Sequence, residues 1–328
     1  MDGPQYHSRF GGLWIDRADW SEELSRREAA GAITKADAAL LRVFVRDGFI
    51  VLPGAASAAA VDAFQREIEL AFRHGRPELL YQSHFDRRTR PLQGPVDRLG
   101  TRVVDSYVGL PQALALFNAP ALVRFLRLIF DTDPLLFQSL SFDQGSQQGL
   151  HQDTAYVVVD RPLELAACWI ALQDITPGSG ELIYLPGSHR YPDFDFGHGV
   201  KHWSGEPAEQ PAHDTWSRWI HEEGARRGLK QQAFLAKKGD ILIWHADLAH
   251  GGAPVQDSSL TRQSLVGHFC PAGRRPNYFD KQPFHPTVRK SGSVLYSSEH
   301  YDLARMPEPE AAAPPPPRRP WWARLRAG

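Results

Sequence analysis

Cysteine is scarce in this chain of 328 residues, which contains only Cys168 and Cys270. Two cysteines are too few for a disulfide framework, and each lies in an apolar run that is typical of a strand. We therefore expect both to be buried free thiols in a reducing compartment.

Long apolar runs and an excess of one charge are also missing. No stretch approaches the roughly 18 consecutive apolar residues of a transmembrane helix, and the first ten residues lack the basic and then apolar order of a signal peptide. The formal net charge is -1, which argues against broad electrostatic capture of nucleic acid. These absences predict a cytoplasmic protein without a membrane span and without a nucleic-acid partner. They leave the oligomeric state unknown.

The first part of the chain has helical periodicity. Apolar residues recur at helical spacing in residues 20–46, on either side of Gly31, and again after Ser57, whose hydroxyl suits an N-cap. Residues 111–130 fit one further helix, whereas the polar, periodless residues 83–100 predict a loop.

From about residue 135 the pattern changes to short β-rich runs. Seven of them occur without intervening helices, which favours an antiparallel sandwich or barrel over a parallel α/β sheet. The runs are LLFQSLSFD, AYVVVD, LAACWIALQD, ELIYLPG, QQAFLAK, DILIWHA and RQSLVGHFC. The aromatic- and charge-rich residues 190–230 form an insertion, typical of a lid or binding loop.

One β-rich run begins with the sequence HQD. Side chains at positions i and i+2 of a strand project from the same face, so His151 and Asp153 would lie together. Alone, this spacing also fits an ordinary hydrogen-bonded pair at the surface.

A second histidine changes that interpretation. His250 follows a predicted strand, and Arg262 lies twelve positions later, on the next predicted strand. Two histidines and one carboxylate on one side of a metal form the facial triad of non-haem iron(II) oxygenases. The fixed fork of an arginine suits the distal carboxylate of a chelating co-substrate such as 2-oxoglutarate, which would bind iron together with O2.

Together these residues make the chain resemble the phytanoyl-CoA dioxygenase family of iron(II)- and 2-oxoglutarate-dependent oxygenases. The resemblance covers most of residues 40–290 and depends on four segments in order: DGFIVLPG, GSQQGLHQD, GELIYLPGSH and GDILIWHADLAHGGAP. It implies a mainly β fold with flanking helices, a double-stranded β-helix (jelly roll). We expect one domain over residues 1–306, with a helical part at 20–130 and the jelly roll at 135–290. The Pro-rich residues 307–328 would be a disordered tail, although Trp321 and Trp322 also suit a docking role.

The resemblance also assigns roles to residues. It implies that His151, Asp153 and His250 hold the iron and that Arg262 binds the distal carboxylate of 2-oxoglutarate. Trp169 would line the co-substrate pocket, with core packing as the alternative. The remaining expected co-substrate contacts are Gln138 and Gln152.

Other residues are alternatives for these roles. His245 is a rival to His250 as the distal ligand. His189 is either a structural turn residue or a residue at the mouth of the site. His268 shares the strand face of Arg262, although a core role is the default. The predicted turn and cap residues are Asp174 and Glu181.

The reaction expected from the resemblance is hydroxylation of a small molecule. Related halogenases lack the carboxylate ligand, so the presence of Asp153 favours hydroxylation, with desaturation or cyclisation still open. Gly252 stands where the family often has a serine or threonine. Two rival functions are a non-redox, cupin-like metalloenzyme and a catalytically silent binding module. The substrate is not indicated, because the aromatic residues of YPDFDFGHGVKHW suit a partly apolar one, whereas Arg87, Arg88 and Arg90 suit an acidic one.

Overall fold

Short alternating apolar segments build two facing sheets in this protein. The computed structural model describes residues 8–83, 88–197, 199–281 and 286–307. Its strands are β1 (Phe49–Leu52), β2 (Arg76–Ser83), β3 (Thr89–Leu92), β4 (Thr101–Val104), β5 (Pro134–Phe142), β6 (Ala166–Ala171), β7 (Leu182–Tyr184), β8 (Gln232–Phe234), β9 (Ile241–His245), β10 (His250–Gly252), β11 (Ser264–Pro271), β12 (Arg289–Ser291) and β13 (Val294–Tyr296).

The large sheet has the strand order β1-β9-β6-β11-β5-β4-β2-β3, and the hairpin of β12 and β13 joins it beside β5. The small sheet has the order β10-β7-β8. All pairs are antiparallel except β13 with β5. This arrangement agrees with the predicted sandwich.

Seven helices accompany the sheets within the described residues. They are α1 (Trp20–Ala29), α2 (Lys35–Asp47), α3 (Ala58–His74), α4 (Ser106–Gly109), α5 (Pro111–Phe117), α6 (Pro120–Phe130) and α7 (Gln210–Arg226). The Ser57 hydroxyl accepts a hydrogen bond from the amide of Ala60 and caps α3, as the sequence predicts. Gly31, with φ of +70°, lies between α1 and α2.

Alternation along the central strands places apolar residues on both faces of the large sheet. On β6, Trp169 points into the layer between the sheets, where it joins Leu182 and Phe234 of the small sheet. Its neighbours Cys168 and Ile170 point to the other face, where the helices pack. Because both of its faces are covered, β6 is apolar throughout.

The N-terminal part contains more strand than the sequence indicates. Residues 83–100, predicted to be a loop, include β3, which pairs with β2 in an antiparallel ladder. The sequence does not indicate β3, because this short polar strand lacks the alternation of apolar residues from which strands are predicted. Strands β2 to β4 also belong to the large sheet, although this part of residues 20–130 was expected to be helical or a loop.

Two further predictions of secondary structure are wrong. Residues 111–130 form two helices, because Pro120 removes a backbone donor and the chain breaks before it at Asn118 and Ala119. The run AYVVVD is not a strand: a 3-10 turn spans Asp153–Ala155, and beyond it only an isolated bridge joins Val159 to Pro276.

Both cysteines are buried and unpaired, as predicted. No single helix among the described residues is long and apolar enough to cross a membrane, although α5 and α6, bent by 60°, pass that test as a pair. The predicted tail falls, apart from Pro307, outside the described residues, as do Trp321, Trp322 and Arg87.

The packing of α3 allows a direct test of the core. Phe64 is fully buried, whereas Leu70 on the same helix is 53% exposed. We expect Phe64→Ala to lower the free energy of unfolding by about 3–5 kcal/mol, because it removes apolar contacts and leaves a cavity. Leu70→Ala should change it by less than about 0.5 kcal/mol. Urea denaturation measures both, and equal effects would contradict this packing.

Candidate metal centre

Two of the predicted ligands are joined through their backbones. The amide of His151 donates to the carbonyl of His250 at 2.9 Å, and the amide of His250 donates back to the carbonyl of His151 at 2.9 Å. His250 is the first residue of β10. His151 lies outside the strands and pairs with His250 through this isolated bridge. Residues 99 positions apart in the sequence are thereby fixed side by side.

The third ligand completes a compact cluster. Atoms of His151, Asp153 and His250 lie within 4.8 Å of one another, and all three residues are buried. Oδ1 of Asp153 is 3.8 Å from Nε2 of His151 and 3.6 Å from Nε2 of His250. These separations allow one ion to touch the carboxylate and either imidazole at the usual bond length of about 2.0–2.2 Å.

Backbone carbonyls set the orientation of both rings. Nδ1 of His151 donates to the carbonyl of Gly149 at 2.9 Å, and Nδ1 of His250 donates to that of Leu248 at 2.9 Å. With the protons held on Nδ1, the lone pair of each Nε2 faces Asp153. Burial and the neighbouring His250 lower the pKa of His151 to about 3. Its ring is therefore neutral and able to bind a metal at neutral pH.

The two oxygens of the Asp153 carboxylate have different partners. Its Oδ2 accepts a hydrogen bond of 2.8 Å from the indole Nε1 of Trp244, while Oδ1 faces the two histidines. Burial alone would raise the pKa of Asp153, but the surrounding imidazoles, His250 foremost, outweigh it and the pKa is lowered. The carboxylate of Asp153 is therefore anionic at neutral pH. Trp244, which the sequence pattern did not single out as functional, orients it.

His268 belongs to the site, although a core role was the default expectation. It lies on β11, and its Nε2 is 3.5 Å from Oδ2 of Asp153. Its Nδ1 is buried without a hydrogen-bond partner among the described residues. The shared strand face with Arg262 was the sequence signal that pointed to it.

Arg262 is a buried cation that forms no close ion pair within the described residues. It lies two residues before β11, not on the strand as predicted, and only 3% of it is exposed. Nη1 contacts the hydroxyl of Ser264 at 3.2 Å, whereas Nε has no hydrogen-bond partner in the described parts of the chain. Burial lowers its pKa to about 10, so it remains charged at neutral pH. An uncompensated buried charge is costly, and a carboxylate ligand would satisfy it.

The cluster lies where two cavities meet. The inner cavity, of about 70 Å³, is lined by the three ligands and His268 and extends to Arg262 and Trp169. The outer cavity, of about 280 Å³, shares His151, Asp153 and His268. Its lining also includes Arg102 and Gln138 of the strands, Tyr156 just after the turn of Asp153, and three residues of the insertion, which are Trp203, Ser204 and Gly205.

Two of the three expected co-substrate contacts line a cavity, and the third does not. Trp169 packs on Phe234, lines the inner cavity and presents a buried Nε1 without a hydrogen-bond partner in the described residues. Gln138 lines the outer cavity. Gln152 does not fit its expected position, because its amide turns away and donates to the carbonyl of Asp247 at 2.9 Å. Gln148, four residues earlier, lines both cavities instead.

The rival histidines lie outside the cluster. Nε2 of His245 contacts Oδ2 of Asp16 at 3.2 Å, and Nε2 of His189 donates to the carbonyl of Val45 at 3.1 Å. Asp174 and Glu181 accept hydrogen bonds from backbone amides of Lys238 and Gly178, as expected of turn residues.

The glycines after His250 are explained by a close approach of the chain. A Cβ at Gly251 would lie 2.6 Å from the carbonyl oxygen of Gln148, and one at Gly252 would lie 2.8 Å from Oγ of Ser146. Ser146 lines both cavities. Its hydroxyl therefore occupies the space that a side chain at position 252 would need.

Comparisons with known proteins point to one family. Residues 44–264, more than half of the chain, match the family model for phytanoyl-CoA dioxygenase (PhyH). The peroxisomal phytanoyl-CoA dioxygenase of Homo sapiens is 24% identical over 259 residues, which cover 70% of this chain and 67% of that protein. The Bos taurus protein of the same name is 22% identical over 258 residues, which cover 70% of this chain and 67% of that protein.

Solved structures share the fold. The epimerase SnoN in complex with Fe3+, alpha ketoglutarate and nogalamycin RO superposes with a TM-score of 0.55 at 20% identity, covering 79% of this chain and 98% of that one. EctD from S. alaskensis with 2-oxoglutarate and 5-hydroxyectoine gives a TM-score of 0.53 at 19% identity, covering 75% and 78%. The predicted fold class, mainly β with flanking helices, is thereby confirmed.

The indole of Trp244 provides a test of how the cluster is held. We expect Trp244→Phe to weaken Mn(II) binding about tenfold, because Oδ2 of Asp153 loses its donor and the carboxylate is free to turn. Isothermal titration calorimetry measures the affinity. The matched control is Trp14→Phe, which removes an indole hydrogen bond of 2.8 Å to the carbonyl of Leu128, away from the cluster. Equal affinities in both variants would argue against this role for Trp244.

Proposed function

This chain belongs to the phytanoyl-CoA dioxygenase family, and from that membership we propose that it is an iron(II)- and 2-oxoglutarate-dependent dioxygenase. In this proposal it hydroxylates a C–H bond of a small organic substrate and releases succinate and carbon dioxide. The observation that carries the proposal is the buried guanidinium of Arg262, which shares a cavity with the three metal ligands and has no carboxylate partner among the described residues.

The donor set fits an iron(II) site. We propose that Nε2 of His151, Oδ1 of Asp153 and Nε2 of His250 hold the metal, since two imidazoles and one carboxylate leave coordination positions open. When bound, iron(II) and 2-oxoglutarate supply the oxidising chemistry, in which one oxygen atom of O2 enters succinate and the other enters the substrate. The carboxylate of Asp153 supports hydroxylation over halogenation, because it takes the position that a halide ligand would need.

The inner cavity suits the co-substrate. Arg262 would hold the distal carboxylate of 2-oxoglutarate through its planar fork, and the ring of Trp169 would form the wall beside it, with its centre 5.7 Å from the guanidinium carbon. Both side chains are buried, so this end of the site lies away from bulk solvent. A low local dielectric strengthens the ion pair that the arginine offers.

The outer cavity suits the substrate. Its volume of about 280 Å³ matches a small molecule. Gln138 and Arg102 contribute polar side chains to its lining, and Tyr156 and Trp203 contribute aromatic ones. A substrate held there would present a C–H bond to the metal from the side away from Arg262.

A non-redox, cupin-like metalloenzyme is the weaker candidate. It accounts for the three ligands but leaves the buried charge of Arg262 without a partner. A silent binding module accounts for the site and predicts no turnover at all. Succinate release separates these possibilities, because only the dioxygenase forms succinate from 2-oxoglutarate.

The first experiment measures succinate formed from 2-oxoglutarate with iron(II), ascorbate and a library of small metabolites. We expect at least one compound to stimulate succinate release by the wild-type protein, and we expect none to do so in Asp153→Ala or His250→Ala, which lose a metal ligand. No succinate from the wild type across a broad library would contradict turnover.

A second experiment isolates the co-substrate contact. We expect Arg262→Met to weaken 2-oxoglutarate binding to the anaerobic Mn(II)-loaded protein by roughly thirtyfold or more, about 2 kcal/mol or above, because a buried charged hydrogen bond is lost. Arg262→Lys should recover only part of the affinity, since an ammonium lacks the two parallel N–H donors with which a guanidinium binds a carboxylate. Mn(II) affinity measured without 2-oxoglutarate serves as the control and should stay near the wild-type value. Unchanged 2-oxoglutarate binding in Arg262→Met would exclude this role.

A further inference from the structure

The insertion of residues 190–230 forms part of the outer cavity. Trp203, Ser204 and Gly205 line its mouth. The ring of Trp216 on α7 packs edge-on against Tyr156, with ring centres 5.7 Å apart. The position of the insertion therefore sets the shape of the space in which we place the substrate.

A buried lysine fastens this insertion to the body of the protein. Lys201 is only 4% exposed, and its Nζ lies 2.8 Å from Oδ2 of Asp247 and 3.0 Å from Oδ1 of Asp193. Asp193 also accepts hydrogen bonds from the hydroxyl of Ser8 and the amide of Arg9. A buried ammonium is tolerated only when it is paired, so Lys201 holds these elements together.

The carboxylate that receives Lys201 also touches the segment that carries a metal ligand. Oδ1 of Asp247 accepts a hydrogen bond of 2.6 Å from the hydroxyl of Thr154, the residue next to Asp153. Asp247 itself lies in the turn between β9 and β10, three residues before His250. One side chain thus joins the turn of Asp153, the turn before His250 and the insertion.

A backbone contact runs in parallel with this carboxylate. The backbone amide of Trp203 donates to the carbonyl of Ala155 at 3.0 Å. The backbone carbonyl of Asp247 accepts a hydrogen bond from the side-chain amide of Gln152. The insertion is therefore bonded to the ligand turn on one side and to Asp247 on the other.

We propose that Lys201 and Asp247 are a positioning pair that couples docking of the insertion to the arrangement of the metal ligands. The inference deepens the proposed function, on which it rests: the wall of the substrate cavity is set in place together with the metal site. Coupling between two sites is reciprocal. Metal binding must then tighten the insertion, and a detached insertion must weaken metal binding.

The first test measures Mn(II) affinity by isothermal titration calorimetry. We expect Lys201→Met and Thr154→Val each to weaken binding about tenfold, in the range found when groups that orient ligands are removed. Thr154→Ser keeps the hydroxyl and should bind Mn(II) as the wild type does. The control Arg124→Met breaks the ion pair with the buried Asp37 on the helical side and should leave the affinity unchanged.

The second test follows the insertion itself by hydrogen exchange of the wild-type protein and Lys201→Met. Adding Mn(II) should slow the exchange of backbone amides in residues 199–205 of the wild type, and this slowing should be lost in Lys201→Met. If Lys201→Met does not fold, Thr154→Val, which changes no charge, replaces it in the same comparison.

The outcomes separate the inference from the proposed function. Wild-type protein that binds no Mn(II) would contradict the metal site itself. Wild-type binding together with unchanged affinity in Thr154→Val and Lys201→Met, or a metal-independent exchange of residues 199–205, would overturn the coupling alone. Loss of stability with unchanged metal affinity would also overturn it, because it would make Lys201 a structural anchor only.

Discussion

The cost of burying charge between the two sheets is the constraint on which this site depends. The layer contains the carboxylate of Asp153, the guanidinium of Arg262 and the imidazole of His151, all nearly inaccessible to solvent. The anion and the cation do not pair with each other within the described residues. Each charge therefore needs an external partner, a metal cation at one end and an organic anion at the other. Such a cluster is stable as part of a complex with both ligands.

The fold supplies rigid positions for these groups at several elements. The large sheet contributes Trp244 and His268, the small sheet contributes His250, and the segment paired with β10 contributes His151. Elements held in ladders keep side chains in place better than free loops do, which suits a site that must bind two ligands in a fixed relation. The insertion contributes Trp203, Ser204 and Gly205 to the outer cavity, and in our proposal it sets the specificity.

The sequence predicted which residues form this cluster, but it did not predict the secondary structure around them. The spacing of His151 and Asp153 was interpreted as alternation along a strand, whereas Asp153 begins a 3-10 turn. The two side chains still converge, because the backbone bridge between His151 and His250 fixes the start of the turn. The family resemblance correctly predicted that these three residues are neighbours, but local periodicity cannot describe an irregular segment whose shape depends on a distant strand.

Other features were beyond the reach of sequence patterns. Pro120 was visible in the sequence, yet the apolar period of residues 111–130 continued across the break. The contacts of Trp244 with Asp153 and of Lys201 with Asp247 join residues that share no motif. Gln152 neighbours a ligand in sequence but points away from the cavities. Tertiary geometry alone determines which polar groups near a ligand support it.

The most direct measurement of the central claim is a crystal structure of the protein prepared anaerobically with iron(II) and 2-oxoglutarate. Our account predicts one metal ion in contact with Nε2 of His151, Oδ1 of Asp153 and Nε2 of His250, with a carboxylate of 2-oxoglutarate on the guanidinium of Arg262. A metal bound elsewhere, or a 2-oxoglutarate that leaves this guanidinium without an anion, would contradict it.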